Sequence, residues 1–249
     1  MTIRRSPKSA ARRTRRTVLV IAAHPDDEIL GCGGTMARHA ENGDDVHIVI
    51  LGEGITARAR MRNVSKDQRA LETLHADARR AASIVGAKTI RTHPLPDNRF
   101  DSIPLLDIIK VVEAEKRRTS PSIVYTHHGN DLNIDHRRVA DAVQTAFRPL
   151  PGEKPCTLMA FEVSSSTEYQ SALAGDPFRP TVYVDISKFL DHKCRAMTAY
   201  RSEARAYPHP RSAEAIRAIA IRAGLEVGLG ACERFALVRQ IQGDEASDD

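Results

Sequence analysis

The chain has no tryptophan, and aromatic residues make up only 4% of its 249 positions. A broad aromatic platform for stacking sugars or bases is therefore excluded, and ring contacts to a ligand fall to Tyr169, Tyr207 or Phe100. Cysteine is scarce as well. Cys32, Cys156, Cys194 and Cys232 lie far apart, without a Cys-x-x-Cys pair. This spacing rules out a disulfide scaffold or a thiolate metal cage; it reads as small buried thiols in a reducing compartment, and the expected location is the cytoplasm. No apolar run approaches the ~18 residues of a membrane span. The glycines of Gly31-Cys32-Gly33-Gly34 do not make a dinucleotide fingerprint, because Met36 stands where the third glycine is required. Ser164-Ser165-Ser166 lacks the flanking glycines of a nucleophile elbow and reads instead as a loop lining a cleft.

Acidic residues are missing from the first sixteen positions, which carry seven basic ones (Arg4, Arg5, Lys8, Arg12, Arg13, Arg15 and Arg16). Removing those seven from the net +5 leaves the body at −2, so the body is not a basic nucleic-acid module. Residues 1–16 are read as a disordered basic tail with no specific nucleic-acid partner, and 242–249 as an acidic C-terminal tail. Between them, 17–241 is long and apolar enough to bury one α/β core unaided.

Within that body, strand-like and helix-like patterns alternate, which predicts a mostly parallel sheet with helices on both faces. Strands are expected at 18–23, 45–51, 89–92, 122–126, 158–163, 182–186 and 235–240. Helices are expected at 33–42, 66–85, 103–118 and 135–147, with two more near the C-terminus. Neither an internal repeat nor a second domain is visible.

Two polar clusters stand out because each follows a strand. Val18 to Ala23 is a continuous apolar run of the kind buried on both faces of a parallel sheet. It stops at His24-Pro25-Asp26-Asp27-Glu28, where Pro25 disfavours helical geometry at His24 and forces a turn. Ligands of open α/β sheets gather at that edge. A histidine nitrogen and one carboxylate from this turn can share a divalent metal, leaving a neighbouring carboxylate free as a base. The second cluster, His127-His128-Gly129-Asn130-Asp131-Leu132-Asn133-Ile134-Asp135-His136-Arg137, follows the strand Ser122 to Thr126. His136 completes a set of two histidines and a carboxylate, a catalytic zinc set with an open position. Asp131 and Asp135 are candidates for orienting the histidines.

On Ala23-His-Pro-Asp-Asp-Glu28 and Asp131-Leu-Asn-Ile-Asp-His-Arg137, supported by Leu95-Pro-Asp-Asn98 and Pro208-His-Pro-Arg-Ser212, the chain resembles the LmbE/PIG-L family of zinc-dependent N-deacetylases. The resemblance spans about 17–241 and implies a single-domain Rossmann-like fold of three layers. It implies that His24, Asp27 and His136 hold one Zn2+ and that Asp26 is the general base. Many family members carry a histidine three residues before the last ligand, placed to polarise the carbonyl. Asn133 stands there in this chain; its amide can donate to an oxyanion but cannot shuttle a proton. His127, His128 or His209 are candidates for that role, with His209 favoured for its stiff polar loop; the other alternative is Asp26 itself.

The implied reaction removes an N-acyl group, acetyl above all, from an amino sugar, sugar nucleotide or glycoside. Two alternatives are a zinc amidase acting on a larger glycoside or thiol conjugate, and an inactive carbohydrate-binding homologue. Substrate contacts are expected from loop residues past the strands: Arg62 (with Arg58 and Arg60), Asp97, Asn98 and Arg211. Arginines suit carboxylates or phosphates, and Asp or Asn suit hydroxyls. The expected partner is a small N-acylated sugar, with self-association into a homo-oligomer left open.

Overall fold

The computed structural model describes residues 14–55, 68–171 and 173–241. Among these residues seven strands and six α-helices follow in the order β1 (Thr17–Ala22), α1 (Asp27–Glu41), β2 (Asp45–Gly52), α2 (Gln68–Ile84), β3 (Thr89–Leu95), α3 (Leu105–Thr119), β4 (Ile123–His127), α4 (Ile134–Ala146), β5 (Thr157–Phe161), β6 (Val182–Asp185), α5 (Leu190–Ala199), α6 (Ala213–Leu225) and β7 (Cys232–Arg239), alternating as far as β5. They form one sheet in the order β3-β2-β1-β4-β5-β7-β6. The pairs among β1 to β5 are parallel, whereas β7 runs antiparallel to both β5 and β6. This is the single α/β domain that the alternation predicts.

The period of two within β1 divides the core. Val18 and Val20 point into one cluster, which Met36, Leu74, Met197 and Ile216 bring from α1, α2, α5 and α6. Leu19 and Ile21 point into the other, with Ile108 of α3 and Val139 of α4. Because β1 is buried on both faces, it tolerates no polar residue until it ends.

Strand order reverses between β1 and β4. From β1 the chain moves outward through β2 and β3, then returns to place β4 on the other side of β1. A crevice opens at such a switch point, beyond the carboxyl ends of the two strands. Both polar clusters sit there.

Among the boundaries that depart from expectation, one bears on the site. Helix α1 begins at Asp27 rather than near Gly33, so the glycines lie inside the helix. A Cβ at Gly31 would stand 2.4 Å from the Phe161 ring, and one at Gly34 would stand 2.8 Å from Ile186. They are glycines because the helix presses on the sheet. Asp27 and His136 therefore occupy the first turns of α1 and α4. Among the described residues, no helix is long and apolar enough to cross a membrane.

Candidate metal and catalytic site

His24, in the turn after β1, brings its Nδ1 to 3.3 Å from Asp27 Oδ2. His136 brings Nε2 to 3.2 Å from the same oxygen. The three side chains offer ligand atoms all within 4.8 Å of one another, and all three residues are buried. Tetrahedral ligands ~2.1 Å from a zinc ion stand ~3.4 Å apart, so the spacing fits a divalent cation.

The far nitrogens of the two histidines strengthen the fit. His24 Nε2 lies 3.0 Å from Asp135 Oδ2, and Asp135 is itself fixed by accepting from the Phe100 amide at 2.9 Å. His136 Nδ1 lies 3.1 Å from Asp131 Oδ1. Asp131 in turn accepts from the hydroxyls of Ser166 and Thr167. A carboxylate close to the far nitrogen of each imidazole is the arrangement that orients metal-ligating histidines. A second grouping, His24 with Asp97 and Asp135, uses that same Nε2. We read it as the hydrogen-bond network behind the ligand.

Burial and charge act together here. Burial works to raise the carboxyl of Asp27, but His136 and His24 outweigh it and hold the group well below the ordinary carboxylate range. Burial works against a charged His136, yet Asp27 and Asp131 raise its pKa to about 9. His24 is raised as well, by Asp135 and Asp27 against burial. The same carboxylates that favour protons on the two imidazoles favour a cation there, so protons and a cation compete for these nitrogens.

Asp26 is shaped differently. Its backbone is left-handed, with φ 98°, a conformation that is rare and costly for a residue other than glycine. Glu28 fixes it by accepting from the Asp26 amide at 3.1 Å, and Tyr200 Oη holds Glu28 with a 2.6 Å bond. Burial pushes Glu28 up to about 7. The Asp26 carboxylate accepts from Arg211 at 2.8 Å, and the same guanidinium reaches Glu203 and Ser165. Burial raises Asp26 well above its ordinary value, against the pull of Arg211.

A cleft of about 130 Å³ opens over this cluster, lined by His24, Asp26, His136, Asn133, Asn98 and Arg211 among others. Asp97 and Ser166 also line it. Asn133 caps α4: its Oδ1 accepts from the Asp135 amide at 2.8 Å, and its Nδ2 donates to Asn98 at 3.0 Å. The remaining histidines turn elsewhere. His128 faces Phe178 and the carbonyl of Asp176. His209 is exposed, and its Nδ1 accepts from the Arg211 amide. His127 is buried; its Nε2 accepts from the Ala23 amide, and its ring stacks on His136 at 4.0 Å between centroids. Arg58, Arg60 and Arg62 lie outside the described residues, as do residues 1–13 and 242–249 of the two tails.

Sequence reasoning missed Glu203, Tyr200 and the packing role of His127. Nothing local marks Glu203 or Tyr200, since they reach the site from the segment after α5. His127 had a signal: it closes a buried strand, and so its ring had to be buried too.

The fold and cluster define an α/β enzyme with a two-histidine, one-carboxylate centre at the switch point of its sheet. The profile of the family described as PIG-L, GlcNAc-PI de-N-acetylase, matches residues 19–147, and the chain belongs to that family. It is 27% identical over 195 residues to a probable N-acetyl-alpha-D-glucosaminyl L-malate deacetylase 2 of Bacillus cereus, covering 77% of this chain and 85% of that protein. It is also 27% identical over 200 residues to the 4-oxalmesaconate hydratase of Pseudomonas putida, covering 74% and 72% respectively. The structure of N,N'-diacetylchitobiose deacetylase from Pyrococcus horikoshii matches with a TM-score of 0.71 at 19% identity, over 90% of this chain and 84% of that one. That last likeness is one of fold.

Proposed function

We propose that the protein is a zinc-dependent N-deacetylase that removes an acetyl group from an amino sugar or its glycoside. The observation that carries this reading is the buried His24–Asp27–His136 cluster, each histidine backed by a carboxylate, with the separate carboxylate of Asp26 beside it in the cleft. His24, Asp27 and His136 would hold the ion. When bound, zinc supplies a Lewis acid and a water whose pKa is lowered to about 7.

The proton chemistry falls to Asp26. It accepts the proton of the attacking water and returns it to the leaving nitrogen, as general acid–base catalysis of amide hydrolysis requires. Arg211 and Glu28 hold that carboxylate and its backbone in place. Arg211 thus supports the base and is not free to clamp a substrate anion. Asn133, with one amide edge on Asn98 at the cleft wall, is positioned to contact the substrate beside the reacting carbonyl. Asp97 and Asn98 are the groups for sugar hydroxyls. The exposed position of His209 leaves it no part in this scheme. The four thiols are free, which supports a reducing, cytoplasmic setting.

The test is a screen of N-acetylglucosamine, N,N'-diacetylchitobiose and N-acetylglucosamine conjugates for released acetate, with and without a chelator. Acetate release that zinc restores supports the reading. The Pseudomonas relative makes 4-oxalmesaconate a necessary second substrate, and its hydration without any acetate release would overturn it. In parallel, His136→Ala should strip zinc from the protein by elemental analysis; unchanged zinc would misassign the third ligand.

A further inference from the structure

Helix α1 is broken. Cys32 sits at φ −146° and ψ 27°, far from helical values, and separates one turn, Asp27 to Gly31, from the rest. In an unbroken helix Leu30 O would accept from Gly34 N, four residues on. Here an ion pair stands in that gap. Lys193 Nζ donates to Leu30 O at 2.8 Å. Glu233 accepts from the Gly34 amide at 2.9 Å and from the Thr35 amide at 2.6 Å. The two side chains close on each other at 2.6 Å, and both residues are buried. Lys193 comes from α5 and Glu233 from β7, so two distant elements meet inside the break. Side chains inserted into a helical ladder are a recognised cause of kinks.

The turn on the near side of the break carries Asp27 as its first residue, and Asp26 immediately precedes it. It is too short to be stable alone, and its orientation depends on what holds its far end. We propose that Lys193 and Glu233 are positioning residues. Spliced into α1, they set the tilt of its first turn and with it the aim of Asp27 at the metal. The inference rests on Asp27 serving as a ligand, which the zinc content of Asp27→Ala examines independently: unchanged zinc there would remove that premise without touching the splice.

Removing one member leaves a buried charge unpaired and destabilises the fold whatever its role. The informative protein is the double variant Lys193→Met/Glu233→Gln, which is neutral but cannot rebuild both halves of the splice. Cobalt(II) titration followed by visible absorption reads affinity and coordination geometry, and thermal unfolding of the metal-free proteins reads stability. The expected result is a cobalt affinity ~10–100-fold below the parent, the usual worth of groups that orient ligands. Shifted d–d bands should accompany it, while the double variant unfolds at a higher temperature than Lys193→Met alone. Parental affinity and spectrum in the folded double variant would overturn the proposal, as would affinity that simply follows unfolding temperature across the set. Should the double variant not fold, Glu233→Asp retains the charge pair with a shorter reach. Weaker cobalt binding at parental stability then supports the splice, and unchanged binding refutes it. Parental protein that binds no cobalt at all would instead sink the metal assignment.

Discussion

Gly31→Ala should lower stability even though alanine is the better helix former. Propensity alone favours alanine by up to ~1 kcal/mol in a helix interior, and the position has no positive φ to penalise it. The opposing contact is severe. The new methyl would meet Phe161 at 2.4, 2.6 and 2.8 Å, about 1 Å inside the ~3.5–4.0 Å optimum for carbon atoms. Phe161 is fully buried and cannot retreat freely. Overpacking of this kind costs ~1–3 kcal/mol, and the depth of overlap argues for the upper half, leaving a net loss of about 1–2 kcal/mol after the propensity gain. At ~2–4 °C per kcal/mol for a chain of this size, Tm should fall by roughly 2–8 °C. The displaced ring also presses on His127, whose centroid lies 4.8 Å away, and His127 stacks on His136, the proposed third ligand. Metal affinity should therefore drop as well. Gly129→Ala is the control, because the nearest atom to its methyl is 4.0 Å distant; it should stay within ~0.5 kcal/mol of the parent. Urea unfolding of the three proteins decides the matter. If Gly31→Ala equals Gly129→Ala or exceeds the parent, helix and sheet are not in the contact described.

Asp26→Asn should retain zinc while turnover falls ~10²–10⁴-fold, the range for a positioned acid or base, whereas His209→Ala should leave rate and pH profile in place; steady-state kinetics with metal analysis separates these outcomes. Asn133→Ala should cost about 1 kcal/mol through loss of the α4 cap, seen in urea unfolding without any change in the shape of the pH–rate profile. On the far side of the molecule, burial would raise Asp44, but His39 and Arg16 outweigh it and hold its carboxyl at about 2. A depressed folded pKa stabilises above the unfolded value of about 3.9 and ceases to do so as pH falls through the folded one. The parent should thus lose urea resistance between pH 4 and 2 more steeply than Asp44→Asn, and parallel curves would remove Asp44 from the acid response.

All seven strands overlap the runs of β-branched and apolar residues that predict them, and β1, β2 and β4, buried on both faces, leave the least sequence freedom. The errors have local causes. β3 extends through His93 and Pro94 to Leu95 because it is an edge strand, where a missing amide does no harm. Helix α1 was expected only from Gly33, and its first turns, Asp27 to Cys32, were missed because they carry the polar cluster and Gly31, a glycine that serves close packing on Phe161. At the site, His24 and His136 were legible because each follows a strand end. Arg211 was visible as a residue but not as the partner of Asp26, a contact across 185 positions. The Lys193–Glu233 pair has no local signature, because the helix break it fills appears only once β7 has reversed direction beside β5.

Asp131 ties the cluster to the wall of the cleft. One carboxylate faces His136 while accepting from Ser166 and Thr167, so ion occupancy and the ordering of the 165–169 segment are thermodynamically linked. Coupling free energies are reciprocal. Whatever affinity the ion gains from an ordered wall, the wall gains in protection when the ion binds. A substrate that leans on Ser166 would then tighten the grip on the metal with no contact to it, and metal loss would reach an observer first as faster amide exchange in the wall.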